Sequence, residues 1–265
     1  MSELSSPATV RFQRFVAIGD SFTEGVGDED PQAPGGVRGW ADRAAEVLAR
    51  QSSTFEYANL AVRGKLIQPI VREQVDRAIA MRPDLITFCA GGNDILRPGS
   101  DPDRVAAIFD RSLARLTATG ATVLIFTGPD LRTMPAFALI RGKVAIYNEN
   151  MRASAARRGA LVVDQWGLRA LHDPSRWAPD RLHLSPLGHH LMAIRVLETL
   201  GVEHDLSPEH VAGPPVGRWH VTSADVQWAR EYLWPWAMRR LTGRSSADGR
   251  HAKLDHPVHP TDDSE

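Results

Sequence analysis

The chain has 265 residues, 43% of them hydrophobic and 24% charged, with a formal net charge of −1. That length and composition fit one α/β domain with appendages, and the near-zero charge argues against a general affinity for nucleic acid or anionic lipid. The single cysteine, Cys89, excludes an intrachain disulfide and reads as a buried core thiol, since reactive thiols need an accessible, electropositive setting.

No apolar run approaches the ~20 residues of a membrane span, and residues 1–14 offer no signal-peptide core. A cytoplasmic protein is therefore expected. Short apolar runs predict strands at 15–19, 55–60, 85–89, 123–127 and 161–163. Between them, helical spacing predicts helices near 40–51, 66–81, 102–119 and 137–158. Strands that are apolar throughout and separated by helices indicate a parallel sheet covered on both faces, a three-layer doubly wound α/β/α fold. A last helix is expected at about 186–200, capped by Ser185, started by Pro186 and stopped by Gly201.

Residues 25–39 form a long Gly-, Pro- and acid-rich loop, equally consistent with a passive loop and a lid. Residues 203–219 carry three prolines and look like a connector. The segment 223–236 contains four aromatic residues, with Trp228 and Tyr232 one helical turn apart. A helix docked on the main domain is the expectation there. A second reading places it beside the site or on a lipid surface, with Arg239, Arg240 and Arg244 nearby. From Gly243 onward the composition predicts a disordered tail.

In an open α/β sheet, ligands bind beyond the carboxyl ends of the strands. Ser21 follows the first strand, Gly64 the second and Asn93 the third, while Asp180 and His183 follow the fifth. All belong to one rim. A flavodoxin-like strand order, 2-1-3-4-5, would set Ser21 beside Asn93 with Gly64 close by. A serine hydroxyl becomes a nucleophile when a base takes its proton and donors meet the oxyanion, so this rim holds the parts for acyl transfer. Each motif alone is ordinary turn or ion-pair chemistry; their order and strand context carry the signal.

Four blocks carry a resemblance. They are Ile18-Gly19-Asp20-Ser21-Phe22-Thr23-Glu24-Gly25, Asn59-Leu60-Ala61-Val62-Arg63-Gly64, Gly91-Gly92-Asn93-Asp94, and Asp180-Arg181-Leu182-His183 continuing to His189. The chain resembles an SGNH hydrolase of the GDSL esterase/lipase family, with Phe22 where that family often has leucine. The resemblance gives 13–202 as the hydrolase domain; composition gives 203–242 as connector and Trp-rich helical extension, and 243–265 as tail. It implies Ser21 as nucleophile, His183 as acid–base and Asp180 as its orienting carboxylate. The N–H groups of Ser21 and Gly64 and the Asn93 amide would form the oxyanion hole, with no metal or cofactor required. The implied function is cleavage of carboxylic esters through an acyl-enzyme, on a small-molecule or lipid ester. Thioesterase, lysophospholipase and carbohydrate deacetylase activities share that triad, and a catalytically idle binding protein could share the fold. A dinucleotide-binding reading, suggested by Gly19 and Gly25, is weakly supported because the full Gly-x-Gly-x-x-Gly spacing is missing after the first strand.

Neighbouring residues read differently. Arg63 is a candidate for substrate contact or a plain surface charge, and Asp94 for substrate contact or a loop-stabilising hydrogen bond. Asp20, adjacent to Ser21, is expected to stabilise the loop. His189 and His190 are consecutive and diverge on a helix, so they are poor joint metal ligands; His189 is expected to support the loop or pack in the first helical turn.

Overall fold

The structure is a computed structural model that describes residues 11–209, 230–231 and 249–260. The five apolar runs form parallel strands: β1 (Arg14–Ile18), β2 (Glu56–Asn59), β3 (Leu85–Phe88), β4 (Thr122–Phe126) and β5 (Leu161–Val163). A sixth strand, β6 (Leu254–Val258), lies antiparallel on β2, and the sheet order is β5-β4-β3-β1-β2-β6. The first five keep the doubly wound order expected from the sequence. Successive strand residues point to opposite faces. Val16 and Ile18 of β1 therefore enter one core and Phe15 and Ala17 the other, which is why the strand must be apolar throughout.

The helices in chain order are α1 (Ser21–Glu24), α2 (Trp40–Ala49), α3 (Ile67–Ile70), α4 (Asp76–Ala80), α5 (Gly92–Ile95), α6 (Pro102–Thr117), α7 (Arg141–Arg158) and α8 (Pro186–Leu200). Residues of α3, α4, α6 and α7 cover one face, while α2 and α8 cover the other. The end signals act as expected at α8. The Ser185 hydroxyl accepts the Gly188 N–H at 3.2 Å, and Gly201 closes the helix in the left-handed region. The helix foreseen at 66–81 is interrupted: α3 and α4 are joined by a π turn at Val71–Val75. Such turns often accompany functional sites, and this one turns Gln74 toward β1.

The tail expectation is corrected at residues 254–258, which are a strand rather than disordered chain. Polar composition concealed it. Its order comes from backbone pairing with the edge of β2 and from burial of the Lys253 side chain, 2% exposed. Pro257 has no N–H to donate and is tolerated because this strand is outermost. The connector from 210 on, and the Trp-rich segment apart from 230–231, lie outside the described residues. No helix among the described residues is long and apolar enough to cross a membrane.

The loop at 25–39 is anchored along its length. Arg43 pairs with the buried Asp28 at 2.6 Å, and Lys253 Nζ donates to the Val37 carbonyl at 3.0 Å. Gly27, at φ +98°, passes so near the His183 loop that a Cβ there would stand 2.2 Å from the Leu184 carbonyl oxygen. Only glycine suits both the close approach and the left-handed backbone.

Candidate active site

β1 ends at Ile18, and the chain turns at once into α1. Asp20 caps that helix through Oδ1, which accepts the Phe22 N–H at 3.2 Å, so Ser21 is its first residue. The backbone leaving β1 is clamped from the π turn. The Gly19 N–H donates to Gln74 Oε1 at 2.7 Å, and Gln74 Nε2 returns a bond to the Gly19 carbonyl at 2.9 Å. An equivalent amide clamp at the end of β4 pairs Asn148 with both backbone groups of Gly128, at 2.7 and 2.9 Å. Both are buried polar side chains whose partners are main-chain groups, so a motif search does not reveal them. The only sequence signal is a polar residue inside an otherwise apolar helical pattern.

Asn93, buried in α5, joins the first two loops of the rim. Its Nδ2 donates to Asp20 Oδ2 at 3.1 Å and to the carbonyl of Lys65 at 3.2 Å. Lys65 follows Gly64, whose φ of +77° requires the backbone freedom of glycine. Burial pushes the Asp20 carboxyl up to about 6, against the opposing pull of the Phe22 N–H, His183 and Asn93. Asp20 therefore has the loop-stabilising contacts expected of it.

The Asp180–His183 loop is held as a tight return. Ala178 N–H donates to the His183 carbonyl at 2.9 Å, and Arg181 takes a positive φ of 54° between Asp180 and His183. That left-handed residue lets the loop double back. It brings His183 Nδ1 within 2.5 Å of Asp180 Oδ2. The other carboxylate oxygen, Oδ1, accepts the N–H groups of Leu182 and His183, both at 3.0 Å. Burial alone would raise the Asp180 carboxyl. The hydrogen bond and charge of His183, with the two backbone donors, outweigh it and hold the group at about 2. Asp180 is thus ionised at neutral pH and fixes the imidazole with its Nε2 available.

Ser21, Asn93 and His183 all line one cavity of about 190 Å³. The rest of its wall is mainly apolar, built from such residues as Leu131, Phe137, Val144, Tyr147 and Met151, with Thr127, Gln165 and Arg181 also lining it. Tyr147 is fixed by donating its hydroxyl to the Ala90 carbonyl at 2.9 Å. Cys89 also lines the cavity, and burial pushes its thiol well above the ordinary range, Asp20 adding to the effect. Among the described residues Ser21 makes no side-chain hydrogen bond, and in unliganded sites such bonds are often long and tighten with substrate.

Arg63 and Asp94 both make contacts that hold loops. Arg63 Nε and its backbone N–H both bond the buried Glu24, at 2.8 and 2.5 Å, locking the Gly64 loop to the end of α1. The Asp94 carboxylate accepts the Ile67 N–H at 2.9 Å, at the start of α3. Both contacts are scaffold contacts, and neither residue lines the cavity. Gly64 does not line it either and reaches the site through its neighbour Lys65.

His189 supports the loops. Its Nδ1 accepts the Trp40 N–H and its Nε2 faces the Val26 carbonyl, both at 3.2 Å, which fixes a neutral ring protonated on Nε2. Burial brings this imidazole down to about 3, the nearby cations Arg43 and Lys253 adding to it and the Val26 carbonyl opposing. His190 is turned away and bonds the Ser207 carbonyl at 2.9 Å. Among the described residues no group of three or more His, Cys, Asp or Glu could hold a metal ion.

Comparison with solved structures finds the same fold. An α/β hydrolase enzyme, LAE5, from the metagenome of Lake Arreo, Spain, superposes with a TM-score of 0.61 at 23% identity, covering 71% of this chain and 95% of that one. Axe2, an acetylxylan esterase from Geobacillus stearothermophilus, gives 0.59 at 19% identity over 72% and 95%. TesA gives 0.58 at 21% identity over 71% and 98%. Among curated proteins, the uncharacterized protein YpmR of Bacillus subtilis (strain 168) is 30% identical over 86 residues. That match spans 31% of its length and 31% of this chain. The model of the GDSL-like Lipase/Acylhydrolase family matches residues 17–191, well over half of the sequence and all four rim motifs, and the chain belongs to that family.

Proposed function

We propose that this protein is a serine hydrolase of carboxylic esters, acting through Ser21, His183 and Asp180. The supporting observation is His183, held by Asp180 at 2.5 Å, on the cavity that Ser21 also lines. In this reading the Ser21 hydroxyl attacks the acyl carbonyl while His183 Nε2 takes its proton. The imidazolium is stabilised by Asp180 and then protonates the departing alkoxide. The acyl group stays on Ser21 until water attacks it. His183 takes that water's proton and returns it to the serine as the acid leaves. The tetrahedral oxyanion is met by the N–H groups of Ser21 and Gly64 and the side-chain amide of Asn93.

The apolar wall favours an alkyl acyl chain over an acetyl group on a sugar, which would leave most of the cavity unused. A cavity of about 150 Å³ holds benzene, so one of about 190 Å³ has room for roughly seven or eight carbons. A fluorophosphonate probe and a panel of p-nitrophenyl esters graded from acetate to palmitate test the reading. Labelling that is lost in Ser21→Ala, with kcat/KM peaking at medium acyl length, is the expected result. A folded protein that takes no label and hydrolyses no ester or thioester overturns it.

A further inference from the structure

The chain running from the C-terminal strand toward Ser21 is a continuous buried network. Lys253 Nζ donates to Asp42 Oδ2 at 2.6 Å and to the Val37 carbonyl at 3.0 Å. Asp42 Oδ2 also accepts the Gly39 N–H at 2.7 Å, at the start of α2. The other oxygen of Asp42 accepts the Tyr57 hydroxyl at 3.2 Å. Tyr57 in turn accepts from Asn59 Nδ2 at 2.9 Å, and the same amide donates to the Thr23 carbonyl at 2.9 Å. Asn59 Oδ1 accepts the Ala61 N–H at 3.1 Å.

Both ends of this network matter for the rim. Thr23 belongs to the one-turn helix that Ser21 begins, and Ala61 opens the segment leading to Gly64. Tyr57 and Asn59 are also the β2 residues against which β6 pairs, through Val258 and Leu254. The C-terminal strand therefore grips β2 by its backbone and, through Lys253, by the side chains that hold the two oxyanion-side loops. Burial and the adjacent Asp42 push the Tyr57 phenol well above its usual range, so it remains a donor to Asp42. Such networks couple their members because each bond polarises the next and an orphaned buried charge is costly. The strand lies beyond residues 17–191, the span that matches the family.

We propose that β6 is a strap that sets the oxyanion-side loops for catalysis, with Lys253 as its positioning residue. This rests on the reading of Ser21 and Gly64 as oxyanion donors. The test uses the full chain, with p-nitrophenyl hexanoate as substrate and fluorophosphonate labelling alongside. Loss of one oxyanion donor costs about 10²–10³ in rate, and a donor that is displaced but present costs less; the expectation for Lys253→Met is thus a fall of about 10-fold in kcat with KM within about 2-fold, measured where circular dichroism shows the variant folded. Lys253→Arg, which keeps the charge, recovers most of the loss. Tyr57→Phe keeps the ring and removes one hydroxyl; it lowers kcat by roughly 3-fold, and adding it to Lys253→Met costs almost nothing more, since both act on one network.

The strap is overturned if folded Lys253→Met keeps the wild-type kcat, or if its effect and that of Tyr57→Phe simply multiply. Should Lys253→Met not fold, an unchanged kcat in Tyr57→Phe overturns it alone. A wild-type protein that neither hydrolyses the ester nor takes the label on Ser21 overturns the hydrolase reading and the strap together. Label on Ser21 with an indifferent Lys253 removes only the strap.

Discussion

The rim beyond β1, β3 and β5 and the sheet edge at β2 and β6 are built on opposite principles. At the rim, the loops of Ser21 and His183 are built by local motifs: Asp20 caps the helix that starts with Ser21, and Asp180 bonds His183 three residues away. At the edge, the decisive contact spans the chain, with Lys253 reaching Asp42 across 211 positions. Local geometry can be recognised from residue order, because a strand followed by a turn leaves few options for where a side chain goes. A long-range pair has no such signature; its two halves look like an ordinary surface acid and an ordinary tail lysine. The candidate site is thus concentrated where the sequence is most legible, while part of its scaffold sits where the sequence is least legible.

The largest test of the rim is His183→Ala, expected to lower kcat on a medium-chain ester by about 10⁴-fold or more. Retention of activity in that folded variant would remove the rim from catalysis and collapse the contrast. Asn93→Ala is expected to cost about 10²–10³ in kcat, as an oxyanion donor does, with the melting temperature also lowered because Asn93 ties Asp20 to Lys65. A change in KM alone would make Asn93 a substrate contact instead. Val144→Phe narrows the cavity wall, and the ratio of kcat/KM for octanoate over acetate esters should fall about 10-fold, in the range that one or two methylenes command in an apolar pocket. An unchanged ratio places the acyl chain elsewhere.

The smallest effect concerns stability and sharpens the role of His189. Its folded pKa, about 3, lies below the ordinary 6.5. The unfolded chain therefore binds the extra proton between those values, and stability is lost as pH falls from about 6.5 toward 3. Asp20, raised from 3.8 to about 6, acts in the opposite sense, its contribution being lost as pH rises through that interval. Urea unfolding as a function of pH separates the two. His189→Gln should flatten the acid-side slope by up to about 1.4 kcal/mol per pH unit. An unaltered slope would show that the ring is not held neutral.

Much of the fold was open to reading because it depends on local periodicity. Apolar runs of strand length, helices between them and the cap signals of Ser185, Pro186 and Gly201 led to the observed elements. What escaped was of one kind. Gln74 and Asn148 clamp glycine backbones from distant helices, and Glu24 claims the guanidinium of Arg63. A polar residue in a helix does not announce which distant main-chain group it will meet. The C-terminal strand escaped for a related reason: an edge strand paired on one side needs little apolar content, so its composition resembles that of a disordered tail.

By itself the sequence determined the layered parallel sheet and the loops that carry Ser21, Asn93, Asp180 and His183, because strand periodicity and turn chemistry act over a few residues. The tertiary structure alone decided that Asn93 bridges two loops, that the cavity beside Ser21 is apolar and of limited size, and that Lys253 closes the sheet edge. Those outcomes arise from groups brought together across the chain, where burial and charge fix partners that residue order does not encode.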